Sequence, residues 1–144
     1  HLLVRIEKLI EQRKKLRLHF EKEINIIPDL ASLPSLDEQL LKKVIKYIED
    51  NLAEPNLNVE TLSSFVGMSS THLYRKIKSL TGFSTNELIR KIRLKKASQL
   101  LALKQGSISE VMYKVGFSSQ SYFAKCFFEE FGVMPKEYIK SINK

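Results

Sequence analysis

Apolar residues recur every three or four positions along most of this chain, and the breaks in that rhythm mark out its elements. In residues 2–24, "LLVRIEKLIEQRKKLRLHFEKEI", the side chains of Leu2, Leu3, Ile6, Leu9, Ile10, Leu16 and Phe20 form one stripe. That spacing predicts an amphipathic helix with a charged opposite face. The next stretch carries Pro28 and Pro34 and reads as a linker over 28–35, since a proline interrupts a continuing helix. Ser35 followed by Glu38 spells a capping box for a helix over 36–52, with Leu36, Leu40, Leu41, Val44, Ile48 and Leu52 facing inward. After "AEPNLN", Asn58 caps a helix over 59–66 whose inward residues are Leu62, Phe65 and Val66.

The same rhythm continues to the end. Gly67 makes a turn, Ser69 or Ser70 caps a helix over 70–80, and Gly82 stops it. Ser84 and Glu87 form a second capping box at the head of the helix 84–103, which at roughly 20 residues spans about 30 Å. Gly106 is the expected terminator of that helix. Ser107 and Glu110 open a short helix over 108–115, Gly116 turns the chain into a helix over 119–130, and Gly132 ends it. Pro135 opens a last helix over 135–142. Seven helices therefore follow residue 35, with strands nowhere: an all-α chain.

Two of these stretches repeat each other. "VGMSSTHLYRKIKSLTG" at 66–82 and "VGFSSQSYFAKCFFEEFG" at 115–132 align with Ser69 on Ser119, Leu73 on Phe123, Arg75 on Lys125, Ile77 on Phe127 and Gly82 on Gly132. Gly67 and Gly116 fall one residue out of that register, so the second copy has one extra residue in its turn. Each copy reads as helix, glycine turn, helix, the layout of a helix-turn-helix. Phe65, Leu73 and Ile77 in the first copy, and Val111, Val115, Phe123 and Phe127 in the second, are expected to hold the paired helices together. What faces outward is polar: Ser70, Thr71, Tyr74 and Arg75, with His72 and Lys78 at the edges, then Gln120, Ser121, Ala124 and Lys125, with Ser119 and Tyr122 flanking. Ser69 and Ser119 leave hydrogen-bonding groups at the helix starts, where free N–H groups suit phosphate oxygens. Arg and Lys can donate to guanine, Gln suits adenine, and the Thr methyl suits thymine. A solvated surface helix would also be polar; Tyr74 and Tyr122 serve equally as half-buried packing residues, and His72 as a capping or packing group.

Charge sharpens the picture. The net charge is +8, and residues 83–144 carry 11 basic and 5 acidic side chains, whereas 34–82 carry 6 of each. A basic excess gathered in one half favours a polyanion, nucleic acid first. The run "RKIRLKKASQ" at 90–99 is the phosphate-facing candidate of the joining helix, led by Arg90 with Arg93 and Lys96 behind it. The single cysteine, Cys126, sits beside inward aromatics as a packed thiol and, with no N-terminal signal pattern, suggests a reducing cytoplasm. His1, His19 and His72 lack the spacing and companions of a zinc site. No nucleophile–base pair or glycine-rich phosphate loop is present, which argues against an enzyme, and neither a cofactor nor a metal is expected.

With these residues in view, residues 36–142 resemble the DNA-binding domain of the AraC family of bacterial transcription regulators. The likeness lies in "ISEVMYKVGFSSQSYFAKCFFEEFGVMPKEYIK", with its Gly-Phe, Ser-Gln-Ser-Tyr-Phe and Phe-Gly-x-x-Pro-x-x-Tyr. Lys125 stands where Arg is commoner, and Ile139 where an Arg usually follows the Tyr. The resemblance implies a seven-helix tandem helix-turn-helix (homeodomain-like) domain over 36–144. Its units, 36–82 and 104–144, would be joined by the helix 84–103 and enter successive major grooves of double-stranded DNA. Residues 1–27 resemble the last helix of a receiver domain and the helix leaving it, as in hybrid two-component sensors with an AraC-type output. RNA polymerase and a second copy joined through the N-terminal helix are the further partners implied, and no membrane contact is expected because the charged face mixes acid with base. The rival reading is a protein-interaction or dimerisation module acting through helix 2–24.

Overall fold

The computed structural model describes residues 35–142, which form seven helices with no strand among the described residues. In chain order they are α1 (Ser35–Asp50), α2 (Val59–Val66), α3 (Ser70–Thr81), α4 (Thr85–Ala102), α5 (Ile108–Lys114), α6 (Gln120–Phe131) and α7 (Pro135–Ile142). The amphipathic helix expected over 2–24 and the linker over 28–34 lie outside the described residues.

Local chemistry explains most boundaries. The Asn58 side chain accepts from Thr61 N–H at 3.0 Å, and Thr61 Oγ1 accepts from Asn58 N–H at 3.1 Å, so α2 starts on a reciprocal cap. The boxes read at Ser84/Glu87 and Ser107/Glu110 both form, with Ser84 Oγ accepting from Glu87 N–H at 3.2 Å and Ser107 Oγ from Glu110 N–H at 3.1 Å. Three sequence expectations are corrected. Ser35 is the first residue of α1 rather than its cap, and the Glu38 carboxylate pairs with Lys42 at 2.8 Å, one turn along. The helix expected to reach 52 ends at Asp50, although Leu52 still buries itself beyond it. The long helix ends at Ala102, before Gly106, where the chain turns through Lys104 at φ 55°.

Two separate apolar cores form, and α4 belongs to both. Leu41, Val44 and Ile48 of α1, Leu62 of α2 and Leu73 and Ile77 of α3 surround Leu88, Ile89 and Ile92 from the first half of α4. Leu94, Ala97 and Leu101 from its second half join Val111, Phe123, Phe127 and Tyr138 in the other core. Between Ile92 and Leu94 the apolar side of α4 therefore swings about 200° around the axis, since each residue advances about 100°. Two inward assignments fail. Leu36, in the first turn of α1, is 79% exposed, and Phe65 is 49% exposed, its ring tilted against that of Tyr47 at a centroid separation of 4.4 Å. Leu62, read as inward beside Phe65, is fully buried.

The extra residue of the second copy has a structural consequence. Counted from the glycine to the capping serine, the first turn comprises residues 67–69 and the second 116–119. That longer turn carries Gly116, at φ 95°, onto the backbone of the first half, where an added Cβ would lie 2.0 Å from the Leu52 carbonyl oxygen. Gly67, also at positive φ, faces open space. Gly116→Ala is expected to lower unfolding free energy by about 2–4 kcal/mol, combining backbone strain with a forced clash. Gly67→Ala, with strain alone, is expected to lose about 1–2 kcal/mol; urea unfolding of both variants gives the comparison.

The capping boxes also carry a pH signature. The Ser84 hydroxyl, helped by Ser84 N–H and the charges of Lys78 and Arg90, holds the Glu87 carboxyl below its ordinary 4.5 against the opposing effect of burial. A depressed folded-state value means that the stabilisation is complete above the unfolded value and is lost as pH falls through the folded one. Between about pH 6 and about pH 3, wild-type melting temperature should therefore fall more steeply than that of Glu87→Gln.

Candidate nucleic-acid interface

The two copies of the repeat fold as α2–turn–α3 and α5–turn–α6. In each, the serine ahead of the second helix caps it: Ser69 Oγ accepts from His72 N–H at 3.2 Å and Ser119 Oγ from Tyr122 N–H at 3.3 Å. Of the two caps left open for α3, Ser69 is the one used. The inward sides of α3 and α6 are sealed by Leu73 and Ile77, and by Phe123 and Phe127. This anchoring leaves the first two turns of both helices to present polar groups outward, near N–H groups whose dipoles favour an anion.

Exposure sorts the predicted residues. On α3, Thr71, His72, Tyr74, Arg75 and Lys78 are exposed, as is the capping Ser69. Ser70 is not part of that face: it is half-buried and its hydroxyl lies 3.1 Å from Ser63 Oγ, pinning α3 to α2. On the second copy Ser119, Gln120, Ser121, Tyr122 and Lys125 are exposed, while Ala124 is half-buried. Ser119 and Ser121 hydroxyls approach to 3.2 Å. Tyr74 and Tyr122 are each about half exposed, at 46% and 48%, so each ring is part packing and part surface.

Arg90, half-buried on α4, reaches Tyr122. Burial opposes its charge, but the hydrogen bond with the Tyr122 hydroxyl and neighbouring charges move its pKa upward overall. The Tyr122 ring also lies 5.9 Å from Phe117. Arg90, Asn86, Ser118 and Tyr122 border a cleft of about 340 Å³ between the two helix-turn-helices. Arg93, which the sequence places behind Arg90 as a phosphate-facing cation, is committed elsewhere. Its Nη2 donates to the Glu54 carbonyl at 3.0 Å, and burial pushes its pKa down. Lys96, by contrast, is exposed. Sequence reasoning missed both Arg93's inward partner and the Lys91–Glu130 pair at 3.1 Å, because each joins residues 39 apart.

Cys126 is buried and unbridged. No group of three or more metal-ligating side chains comes together among the described residues, and no described helix is long and apolar enough to cross a membrane.

Known proteins share this architecture. A family profile described as a helix-turn-helix domain matches residues 62–141, more than half of the chain. Histidine kinase P4 of Formosa agariphila is 43% identical over 135 residues, covering 94% of this chain and 10% of that protein. The transcriptional regulator MtrA of Neisseria gonorrhoeae is 35% identical over 101 residues, covering 70% of this chain and 32% of the regulator. The chain thus spans only about a tenth and a third of these relatives' lengths. The C-terminal domain of AraT, a response regulator from Geobacillus stearothermophilus, superposes with a TM-score of 0.66 at 31% identity, over 71% of this chain and 84% of that one. A Chromobacterium violaceum regulator described by its AraC-type DNA-binding domain gives a TM-score of 0.70 at 25% identity, over 77% and 98%. Sequence profile, repeat and tertiary arrangement agree: the chain belongs to the AraC-type helix-turn-helix family, as a DNA-binding domain of transcription regulators.

Proposed function

We propose that this domain reads double-stranded DNA with α3 and α6 in successive major grooves on one face of the duplex, as the output end of a two-component phosphorelay protein. The observation that carries the first part is the span of α4. Its 18 residues, about 27 Å long, are built into both cores and hold the two helix-turn-helices at a separation suited to one duplex turn of about 34 Å. Arg75 and Lys125 occupy matching places in the two copies and are the principal base contacts. Thr71, Tyr74, Gln120 and Ser121 join them on the bases, with His72, Lys78, Tyr122 and Ala124 at the margins and Ser69, Ser70 and Ser119 ordering the helix starts. Arg90 takes a backbone phosphate. The segment acts by binding rather than by catalysis.

The signalling part is supported by the kinase relative, which aligns with 94% of the chain, and by the response-regulator origin of AraT. In this reading residues 1–27 lead from a receiver domain, and residues 36–144 make up the DNA-binding domain. Phosphorylation upstream would alter how two copies meet through residues 2–24, and RNA polymerase would be the downstream partner.

Selection from random duplex DNA at about 150 mM salt tests this reading. Two enriched blocks one helical turn apart are expected, with a log–log salt slope near −5 for about six neutralised phosphates. Arg75→Ala should weaken binding about 10–100-fold and relax preference in one block, and Lys125→Ala should do the same in the other. Arg90→Ala should weaken all sequences evenly and reduce the salt slope by about 1. Should Arg75→Ala and Lys125→Ala leave binding unchanged, the reading fails and dimerisation through residues 2–24 takes its place.

A further inference from the structure

The seam where α4 passes from one core to the other holds two cations that the DNA-binding surface does not use. Lys91 and Arg93 are two residues apart, and so lie on nearly opposite sides of the helix. Lys91 Nζ bonds both carboxylate oxygens of Glu130, at 3.1 and 3.3 Å, near the end of α6. The pair is nearly dry, with side chains 12% and 10% exposed. The same ammonium lies 5.0 Å from the ring centre of Phe83, just past the end of α3. On the other side, Arg93 grips the Glu54 carbonyl that follows α1 and lies against Gly116 in the second turn, where an added Cβ would come 2.9 Å from its Nε. Each cation therefore touches both halves of the molecule.

Stability does not explain this placement, since a buried ion pair contributes little or nothing over well-packed apolar residues. Direction does. The packed cores already resist gross rotation, and a charged hydrogen bond, which holds only over a narrow range of distance and angle, adds direction to that contact. We infer that the Lys91–Glu130 pair and Arg93 form a two-point registry lock between the helix-turn-helices, fixing how far α6 is displaced and rotated from α3. They are positioning residues: they touch no base, yet they set how many base pairs separate the two blocks of the operator. This inference rests on the reading that both helices enter DNA. Changing the separation by one base pair turns the second block by about 35° and shifts it by about 3.4 Å, enough to break a base contact.

The test uses the 144-residue chain and duplexes carrying the two selected blocks at the wild-type spacing, one base pair closer and one base pair farther. Wild-type protein is expected to bind both altered duplexes about tenfold or more weakly, the worth of one good bidentate base contact. The variant combining Lys91→Met, Glu130→Leu and Arg93→Leu should narrow that penalty to about threefold, while Lys91→Arg alone, which keeps the ion pair, should retain it. Circular dichroism and melting establish folding first. Where the apolar variant does not fold, Glu130→Gln with Arg93→Lys is read in the same series and should narrow the penalty likewise. Folded variants that keep the wild-type penalty, or that lose affinity equally at all three spacings, overturn the lock. A wild-type protein that selects no pair of blocks overturns the two-groove reading, and the lock with it.

Discussion

Everything in this domain depends on one helix serving two cores. An isolated helix-turn-helix of this size has little apolar surface to bury, and α4 supplies each unit with part of its floor: Leu88, Ile89 and Ile92 to one, Leu94, Ala97 and Leu101 to the other. Because the side of attachment reverses between Ile92 and Leu94, the two units sit on different sides of one rigid rod. Neither unit can then turn about α4 without pulling buried side chains out of a core. The rod is thereby a strut as well as a connection, and the arrangement of α3 and α6 follows from where along it the reversal falls.

The presenting surfaces depend on a simpler device used twice. A serine outside the helix satisfies an otherwise unpaired N–H, and buried residues one and two turns along hold the helix from below. The exposed residues between those anchors are free to vary in chemistry without disturbing the fold. Hence α3 offers Thr71, Tyr74 and Arg75 where α6 offers Ser121, Ala124 and Lys125 on the same frame. The two copies thus share one frame and differ in the chemistry they present.

The second copy is nevertheless no simple duplicate. Its core is aromatic, with Phe117, Phe123, Phe127, Phe131 and Tyr138 in a chain of tilted and edge-on contacts, where the first copy uses aliphatic residues. Its turn is longer and brings Gly116 close to the Leu52 carbonyl of the other half. The asymmetry gives the halves unequal duties: the first is built around its own three helices, and the second is fitted against it.

Much was legible before any coordinates. Helix positions followed from the three-to-four spacing of apolar residues, and starts and stops from Ser84, Ser107, Gly82 and Gly132, because capping acts within a single turn. The repeat marked α3 and α6, and its one-residue offset located the longer turn. What the sequence left ambiguous were residues whose fate depends on a distant neighbour. Phe65 and Leu36 have inward spacing yet lie outside, Phe65 against the Tyr47 ring. Ser70 has the chemistry of a base reader but meets Ser63 instead. Arg93 and Lys91 belong by charge to a solvated run, and only the meeting of segments 39 residues apart turns them inward. Short-range rules of helix formation determined the elements, and tertiary packing alone decided which polar groups were left facing out.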